Sequence, residues 1–296
     1  MSSRGLFQGA NFVHSIDEAK QDELKPLIES GKKSFKGREL SGGTLGVIGM
    51  GAIGAKVADM GVMLGMNVIG FDPAITVEAA WKLPNQVERK EKIEDVFKDS
   101  DYISLHVPAN DATKGLINEE LLKNAKKGLR LINFARDEIV VSKDIIKSLD
   151  DQTLSKYITD FADLDLISRA KTKYDVIILP HIGASTSQAE ENCSVMAAEQ
   201  LDDFLNNGNI KNSVNFPELI EPRLSDFRIT ISNKNHPGMI GKITTVLAEN
   251  KLNIIDMVNK SRGDLAYNVI DLETKPSDKV LGELSSLEDV ISVREV

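Results

Sequence analysis

The chain has 296 residues, of which 41% are hydrophobic and 27% are charged, a globular composition whose length favours two domains over one. Its net charge of -9 argues against a nucleic-acid-binding surface, which needs a basic stripe. A single cysteine excludes an intrachain disulfide, and the sequence shows no membrane-length apolar run and no signal peptide, which together predict a cytoplasmic protein without a membrane partner.

The first part of the chain is highly charged. In the next part, segments with the apolar pattern of strands alternate with segments that have the period of helices. Residues 14–36 have few apolar positions and contain Pro26, which predicts a solvated helix or arm. From Thr44 onward, apolar strands alternate with segments of helical period, which predicts a parallel sheet with right-handed crossovers. The predicted strands begin at Thr44 and then cover 67–72, 102–108, 129–135, 156–161 and 176–181, and the predicted helices cover 55–65, 88–97, 119–125 and 143–149.

The last part of the chain has a different order of elements. A helical segment, 185–205, is followed by a proline-containing stretch without periodicity, which predicts a linker at 217–226. Beyond it the pattern is βαββαβ, the ferredoxin-like arrangement. The expected fold class is α/β, a Rossmann-type doubly wound parallel sheet followed by a ferredoxin-like domain. The expected boundaries are 1–43 for a leading segment, 44–184 for the sheet domain, 185–216 for a helix and return segment, 217–226 for the linker and 227–296 for the last domain.

The stretch GMGAIG, residues 49–54, satisfies the GxGxxG pattern between an apolar strand and a helix, and Asp72 ends the next strand. Gly49 would permit the tight turn, Gly51 would let a pyrophosphate approach the backbone, and Gly54 would let helix and strand pack closely. Asp72 would bind the adenosine ribose and repel a 2′-phosphate, which favours NAD over NADP; a plain structural turn is the alternative. The predicted cofactor loop consists of Gly49, Gly51, Ala52, Ile53 and Gly54.

No metal site is expected. The four histidines are scattered along the chain, and no pair of cysteine or histidine residues has the spacing of a zinc site.

Three further motifs occur in order: LHVP at 105–108, NFAR at 133–136 and PHIGAST at 180–186. With the glycine loop and the ferredoxin-like tail, they resemble the D-2-hydroxyacid dehydrogenase family, and within it the phosphoglycerate dehydrogenases that carry a C-terminal ACT domain. The resemblance runs from about Ser3 to the C-terminus. It implies NAD as the cofactor and a phosphorylated 2-hydroxy acid as the substrate. The implied reaction is oxidation of D-3-phosphoglycerate to 3-phosphohydroxypyruvate, the first step of serine biosynthesis.

In this family an arginine, an acid and a histidine carry out the chemistry. The motifs place the arginine at Arg136, which would hold the substrate carboxylate and polarise the carbonyl beside it. They place the histidine at His181, which would take the hydroxyl proton and return it in the reverse direction. The acid, usually glutamate, falls on Asp165, with Asp163 as the competing candidate. Asp137 departs from the family pattern, which has glycine there, and its carboxylate would either weaken the field of Arg136 or turn to solvent.

The resemblance also implies contacts with the cofactor beyond the glycine loop. The matching positions are His106, Val107, Pro108, Thr113, Phe134, Ala135, Asp160, His181 and Gly183. Ser185 and Thr186 begin the next predicted helix, where they form either an anion-binding N-terminus or a plain helix cap.

ACT domains of this family often pair edge to edge and bind an amino acid, commonly serine, at the interface. The implied effector residues are Asn233, Asn235 and Asn253, because asparagine amides can satisfy both the ammonium and the carboxylate of a small amino acid. The tail is therefore expected to assemble the chain as a homodimer or tetramer. A dimerisation role without an effector is the simpler alternative.

Family members carry a longer N-terminal region that forms most of the substrate-binding domain, and residues 1–43 are expected to be a remnant of it. Ser2, Ser3 and Arg4 resemble the end of the helix that leads out of that domain. Two alternatives to the enzyme stay open. One is a non-catalytic NAD- and amino-acid-binding protein derived from such a dehydrogenase, and the other is a dehydrogenase for another D-2-hydroxy acid.

Overall fold

The structure, a computed structural model, describes residues 3, 6–16 and 21–296. It divides into two compact units, Met1–Gly183 and Ala184–Val296. Ser2, Arg4 and residues 17–20 of the predicted arm lie outside the described residues. No helix within the described ranges combines the length and the apolar character needed to cross a bilayer.

A seven-stranded parallel sheet organises the first unit and confirms the predicted Rossmann-type architecture. Its strands are β1 (Thr44–Ile48), β2 (Asn67–Phe71), β3 (Glu88–Arg89), β4 (Tyr102–Leu105), β5 (Leu129–Asn133), β6 (Leu154–Thr159) and β7 (Val176–Ile178). Their order is β3-β2-β1-β4-β5-β6-β7, so the winding reverses between β1 and β4. Sheets of this kind bind ligands at that switch point, outside the carboxyl ends of the strands.

Helices accompany this sheet along the chain. They are α1 (Leu6–His14), α2 (Gln21–Gly31), α3 (Ala52–Met63), α4 (Val77–Trp81), α5 (Ile93–Asp99), α6 (Glu119–Leu122), α7 (Ser142–Asp150) and α8 (Leu164–Thr172), with 3-10 helices at Lys32–Phe35 and Asp137–Ile139. The core joins Ile48, Leu105 and Leu131 of the central strands to Phe97 of α5 and Ile145 of α7, all buried. A strand covered on both faces needs such a continuous apolar run.

The first unit differs from the predicted elements at one strand and three helices. Residues Glu88–Arg89 form an edge strand rather than the start of a helix, because their backbone pairs with Ile69 and Gly70 of β2, and α5 begins only at Ile93. Helices α1, α4 and α8 are absent from the prediction. A nine-residue helix such as α8 is short for detection by periodicity.

The second unit confirms the predicted ferredoxin-like order. Its elements are α9 (Ser187–Asn207), β8 (Phe227–Lys234), α10 (Met239–Glu249), β9 (Ile254–Arg262), β10 (Leu265–Leu272), α11 (Asp278–Ser285) and β11 (Val290–Glu295). The antiparallel sheet has the order β11-β8-β10-β9. Buried Ile229, Ile231 and Ile270 of the sheet pack with Leu247 of α10 and Leu284 of α11, which places both helices on one face.

The opposite face of this sheet is covered by the segment between α9 and β8. Ile210 and Leu219 pair through backbone hydrogen bonds and pack against Tyr267 and Val269 of β10. The stretch 217–226, predicted as a linker, is therefore held along the sheet. The backbone N–H of Leu224, within it, donates a hydrogen bond to the carboxylate of Asp271 at 2.9 Å.

Gly208→Ala is expected to lower the free energy of unfolding of the second unit by about 2 kcal/mol or more. Gly208 ends α9 with φ 72°, and a Cβ added there would lie 2.3 Å from Cγ2 of Thr230. The matched control is Gly263→Ala, where φ is 59° but an added Cβ meets nothing within 4 Å. Chemical denaturation should show the larger loss for Gly208→Ala; equal losses would mean that close packing at Thr230 contributes nothing.

Candidate active site

Two residues with predicted catalytic roles, Arg136 and His181, and one predicted cofactor contact, Asp160, follow strands at one edge of the parallel sheet. Arg136 follows β5, Asp160 follows β6, and His181 follows β7. The glycine loop follows β1, and Asp72 follows β2. Because all of these strands are parallel, the topology brings the side chains to a common edge, at and beside the switch point.

The glycine loop has the geometry that a dinucleotide loop requires at each of its three glycines. Gly49 adopts φ 90°, and a Cβ there would lie 2.6 Å from the carbonyl oxygen of His106. A Cβ on Gly54 would lie 1.8 Å from the carbonyl oxygen of Gly49, so helix α3 packs directly on the turn. A Cβ on Gly51 would meet nothing within 4 Å. The second glycine therefore leaves open space at the N-terminus of α3, where backbone N–H groups favour an anion.

Asp72 is tied to this loop through both oxygens of its carboxylate. Oδ2 accepts a hydrogen bond from the backbone N–H of Met50 at 2.8 Å, and Oδ1 accepts one from Ala74 at 2.9 Å. The side chain is half-buried at the end of β2. Each carboxylate oxygen has a second lone pair, so Asp72 can brace the turn and still accept a ribose hydroxyl.

The LHVP stretch lines the other side of the switch point. Nε2 of His106 lies 2.9 Å from the hydroxyl of Ser104, and burial lowers the pKa of this histidine, so its imidazole is neutral near pH 7. Val107 is half-buried and Pro108 is exposed. The hydroxyl of Thr113 donates to the carbonyl of Pro108, which closes the loop between them. The structure thus gives Thr113 a loop-closing contact in addition to its predicted place near the cofactor.

Arg136 is exposed just beyond the end of β5. Its Nη1 donates to the carbonyl of Ala135 at 2.6 Å, and no ion pair joins it to Asp137 or to another described carboxylate. The turn that presents it is held by Asn133, a fully buried residue. Asn133 accepts from the N–H of Ala135 at 3.1 Å and donates to the carbonyl of Arg136 at 2.8 Å. Phe134, between them, leaves 40% of its surface exposed.

Asn133, which holds the turn before Arg136, is not among the residues predicted from the sequence. It could have been found from its place in the NFAR motif, because a polar side chain that ends a buried strand needs hydrogen-bond partners.

The imidazole of His181 pairs with Asp160. Nδ1 of His181 lies 3.0 Å from Oδ2 of Asp160, and the ring stacks at an angle on Phe161 with 5.4 Å between ring centroids. The Asp160 side chain is only 10% exposed, whereas that of His181 is 61% exposed. A buried carboxylate thus orients an imidazole that remains open to solvent on its other side.

The two acids proposed from the family spacing lie elsewhere. Asp163 caps α8, accepting a hydrogen bond from the N–H of Leu166 at 2.8 Å. Asp165 is exposed in the first turn of that helix and borders a cleft with Lys143 of α7 and Arg169 of α8. The structure therefore brings Asp160 to His181, rather than Asp163 or Asp165.

The residues at this edge fit a nicotinamide dinucleotide. Oδ1 of Asp160 is buried and has no hydrogen-bond partner among the described residues, so it is available to an N–H group of a ligand such as the nicotinamide carboxamide. The open space at Gly51 and the carboxylate of Asp72 suit the pyrophosphate and the ribose. Gly183 is exposed, and a Cβ there would meet nothing within 4 Å. The described part of the chain contains no cluster of three or more metal-ligating side chains.

The residues proposed to bind an amino acid lie in the second unit and are not together in one chain. Asn235 follows β8, near the start of β10, whereas Asn253 precedes β9, near the end of β10. The length of β10 separates them by roughly 24 Å. Asn235 donates to the carbonyl of Gly263 at 3.2 Å, and Asn253 donates to the carboxylate of Glu273 at 3.1 Å.

Asn233 is the least accessible of the three. Only 2% of its surface is exposed, its Oδ1 accepts from Asn268 at 2.8 Å, and its Nδ2 donates to the carbonyl of Lys234 at 2.7 Å. Thr186, the alternative anion site, caps α9 by accepting from Ala189 at 3.1 Å, while Ser185 is exposed.

Comparison with known proteins decides the family. The sequence profile described as D-isomer specific 2-hydroxyacid dehydrogenase, NAD binding domain, matches residues 7–183. The chain belongs to this family. A second profile, the ACT domain, matches residues 227–289. The NAD-binding domain and the ACT domain expected from the sequence are thereby confirmed.

The relatives of this dehydrogenase-family chain include D-3-phosphoglycerate dehydrogenases. Those of Haemophilus influenzae and Escherichia coli are 30% identical to it, over 89% and 86% of the chain. The chain spans less than two thirds of these relatives, 65% and 63% of their lengths. The structure of NAD+-bound 3-phosphoglycerate dehydrogenase from Entamoeba histolytica is 35% identical, with a TM-score of 0.54 over 64% of this chain and 60% of that one.

Gly51→Val is expected to weaken NAD binding at least about tenfold with little change in thermal stability. The added side chain meets no protein atom, and the backbone at Gly51 is extended, at φ -69° and ψ -163°, which valine accepts. Titration calorimetry with NAD measures the loss. Gly241→Ala, in α10 and also in open space, is the control. Unchanged affinity in Gly51→Val would mean that NAD does not approach this loop.

Proposed function

We propose that the protein catalyses the NAD-dependent oxidation of a D-2-hydroxy acid, with D-3-phosphoglycerate as the substrate and 3-phosphohydroxypyruvate as the product. The observation that carries this proposal is the His181–Asp160 pair, 3.0 Å apart at the sheet edge that also presents the glycine turn and Arg136. A protein that only sensed a dinucleotide would need neither the oriented imidazole nor the unpaired guanidinium.

The roles of the side chains follow from their contacts. Asp160 accepts the hydrogen on Nδ1 of His181, which leaves the lone pair of Nε2 free to take the proton of the substrate hydroxyl. NAD, when bound, accepts the hydride. The N–H groups of Arg136 that do not bind Ala135 can hold the substrate carboxylate as a bidentate pair. Asn133 fixes the turn from which that guanidinium projects.

The substrate is inferred from the relatives rather than from a contact in the site. Proteins named D-3-phosphoglycerate dehydrogenase match over 89% and 86% of the chain, so the matches extend into both units. A dehydrogenase for another D-2-hydroxy acid is the second candidate, since the fold also matches a D-lactate dehydrogenase of Aquifex aeolicus bound to NAD and lactic acid, at 28% identity and a TM-score of 0.52.

Regulation by an amino acid, with serine as the first candidate, is part of the proposal. Asn235 and Asn253 lie at opposite ends of the ACT sheet, so a shared ligand would require a second copy of the chain. The edge strand β9, exposed over Asn259–Arg262, offers backbone groups for pairing with such a copy. We therefore propose a homodimer or tetramer in the cytoplasm.

A non-catalytic NAD- and amino-acid-binding protein is the third candidate. Asp165 is exposed and lies away from His181, which favours a non-catalytic protein if catalysis in this fold requires the acid at that position.

The test is NADH formation, followed by absorbance, with D-3-phosphoglycerate and then D-lactate as substrates, each with and without serine. Turnover that is faster with D-3-phosphoglycerate and is lowered by serine is expected. Faster turnover with D-lactate would identify the second candidate. Saturable NAD binding without turnover of any D-2-hydroxy acid would identify the third candidate, the non-catalytic protein.

A further inference from the structure

A cavity of about 560 Å³ lies within the second unit, between the C-terminal half of α9 and the face of the ACT sheet opposite to α10 and α11. Its walls are mainly apolar: Leu201 and Phe204 of α9, Ile210 and Phe216 of the following segment, and Tyr267 and Ile291 of the sheet. This volume falls in the range of small-molecule sites. All residues that line the cavity belong to the second unit, and Asn233 is not among them because it projects from the other face of β8 than its neighbour Ser232.

The charged groups at the cavity are cations without counter-ions. Arg294 and Lys211 line it, and no aspartate or glutamate does, although the chain as a whole carries a net charge of -9. The ion pairs in the described part of the second unit involve other residues. An anion entering the cavity would therefore meet attraction and no carboxylate repulsion.

Arg294 is already held in place. Its guanidinium lies over the ring of Phe204, 4.5 Å from the centroid, and Nη2 donates to the carbonyl of Leu205 at 3.1 Å. Its Nη1 is buried and has no hydrogen-bond partner among the described residues. A guanidinium fixed by stacking loses little further freedom when it binds a planar carboxylate.

We propose that this cavity binds a small carboxylic acid that has an apolar body and no amino group. The apolar walls contact the body, Arg294 and Lys211 donate hydrogen bonds to the carboxylate, and the hydroxyls of Thr230, Ser232 and Ser292 can bind a further oxygen. An amino acid fits poorly, because its ammonium would stand near two cations with no carboxylate to receive it. An inorganic anion fits poorly too, since it would leave the apolar walls uncovered.

The test is titration calorimetry of the full chain with phenylacetate as the probe. 2-Phenylethanol, which lacks the charge, and phenylalanine, which adds an ammonium group, are the matched ligands. Phenylacetate is expected to bind at least about tenfold more tightly than either, on the scale of hydrogen bonds to charged groups. Equal affinities for the three ligands, or no binding of phenylacetate at millimolar concentration, would overturn the proposal.

Variants locate the site. Arg294→Gln and Lys211→Gln are each expected to weaken phenylacetate binding about tenfold. Lys242→Gln should leave the affinity for phenylacetate unchanged, because Lys242 is exposed on α10, on the other face of the sheet. Ser292→Tyr places bulk in the cavity at an exposed position and is expected to abolish binding, so it keeps the proposal testable if Arg294→Gln does not fold. Unchanged affinity in Ser292→Tyr, or in both cation variants, would show that phenylacetate binds elsewhere. The proposal does not depend on the reaction proposed above.

Discussion

His181→Ala is expected to lower kcat/KM by about 100-fold or more, the usual contribution of a positioned proton acceptor. The variant removes an exposed imidazole that a carboxylate partner orients at this edge of the sheet. NAD binding should change much less than turnover, because the glycine loop and Asp72 are untouched. Initial-rate measurements with D-3-phosphoglycerate, together with NAD titration, separate the two effects. Wild-type-like turnover in His181→Ala would contradict the assignment.

Three aspartate variants identify the acid that acts with His181. Asp160→Asn keeps the shape of the side chain and removes the charge 3.0 Å from Nδ1, so a large loss of kcat/KM is expected. Asp163→Asn is the matched control, since asparagine also caps a helix. Asp165→Asn tests the residue at the family spacing, and we expect a smaller loss than for Asp160→Asn. The reverse ranking would show that Asp165 reaches His181 during turnover.

The sequence is sufficient to predict the sheet and its cofactor loop because both rest on local constraints. Strands such as LGVI and YISL are too apolar to be exposed, and their alternation with helices leaves a parallel sheet as the solution. The glycine loop can also be predicted from the sequence, because Gly49 needs positive φ and there is no room for a Cβ at Gly54. These requirements act within a few residues of the chain, so a single sequence records them.

The partner of His181 is not predictable in the same way. Sequence spacing places Asp165 at the family position, but Asp163 starts a helix and thereby fixes the direction of the side chains that follow it. The competing carboxylate, Asp160, sits directly at the end of β6, where the sheet determines its direction. Sequence spacing alone does not reveal whether the helix that begins after Asp163 or the end of β6 brings a carboxylate to His181.

The buried ion pair of the second unit is a further feature that the sequence conceals. Arg228 alternates with apolar residues in FRITIS, a pattern that predicts a solvent-facing arginine. The structure buries it to 1% exposure against Asp271, which lies on the neighbouring strand β10. Arg228 is buried because the segment after α9 covers this face of the sheet and supplies carbonyl oxygens to its guanidinium.

Asp271→Asn is expected to reduce the free energy of unfolding of the second unit by about 3–5 kcal/mol, the usual cost of an uncompensated buried charge. The carboxylate accepts from Nε of Arg228 at 2.6 Å, from its Nη2 at 2.8 Å and from the N–H of Leu224 at 2.9 Å. The arginine also donates to the carbonyls of Asn207, at 3.0 Å, and Pro222, at 2.8 Å. The pair thereby ties α9 and the covering segment to the sheet, and its loss should loosen both.

A double-variant cycle separates the pair from its surroundings. Arg228→Met with Asp271→Leu should cost less than the sum of the two single variants, because neither charge is then left alone. Lys275→Met, which breaks an ion pair whose lysine side chain is 64% exposed, is the control and should have little effect. Additive losses in the cycle would mean that the two side chains do not stabilise each other.

The same pair also makes the stability of the second unit depend on acid pH. Burial would raise the pKa of Asp271, but hydrogen bonds from Arg228 and Leu224 and the neighbouring positive charges outweigh it, so the pKa is lowered in the folded protein. A lowered folded pKa means that the stabilisation is complete above the ordinary aspartate pKa of about 3.9 and is lost as the pH falls through the folded value. Unfolding free energy measured from pH 7 downward should therefore drop more steeply below about pH 4 in the wild type than in Asp271→Asn. Parallel curves would assign the acid sensitivity to other carboxylates, because asparagine has no proton to gain at this position.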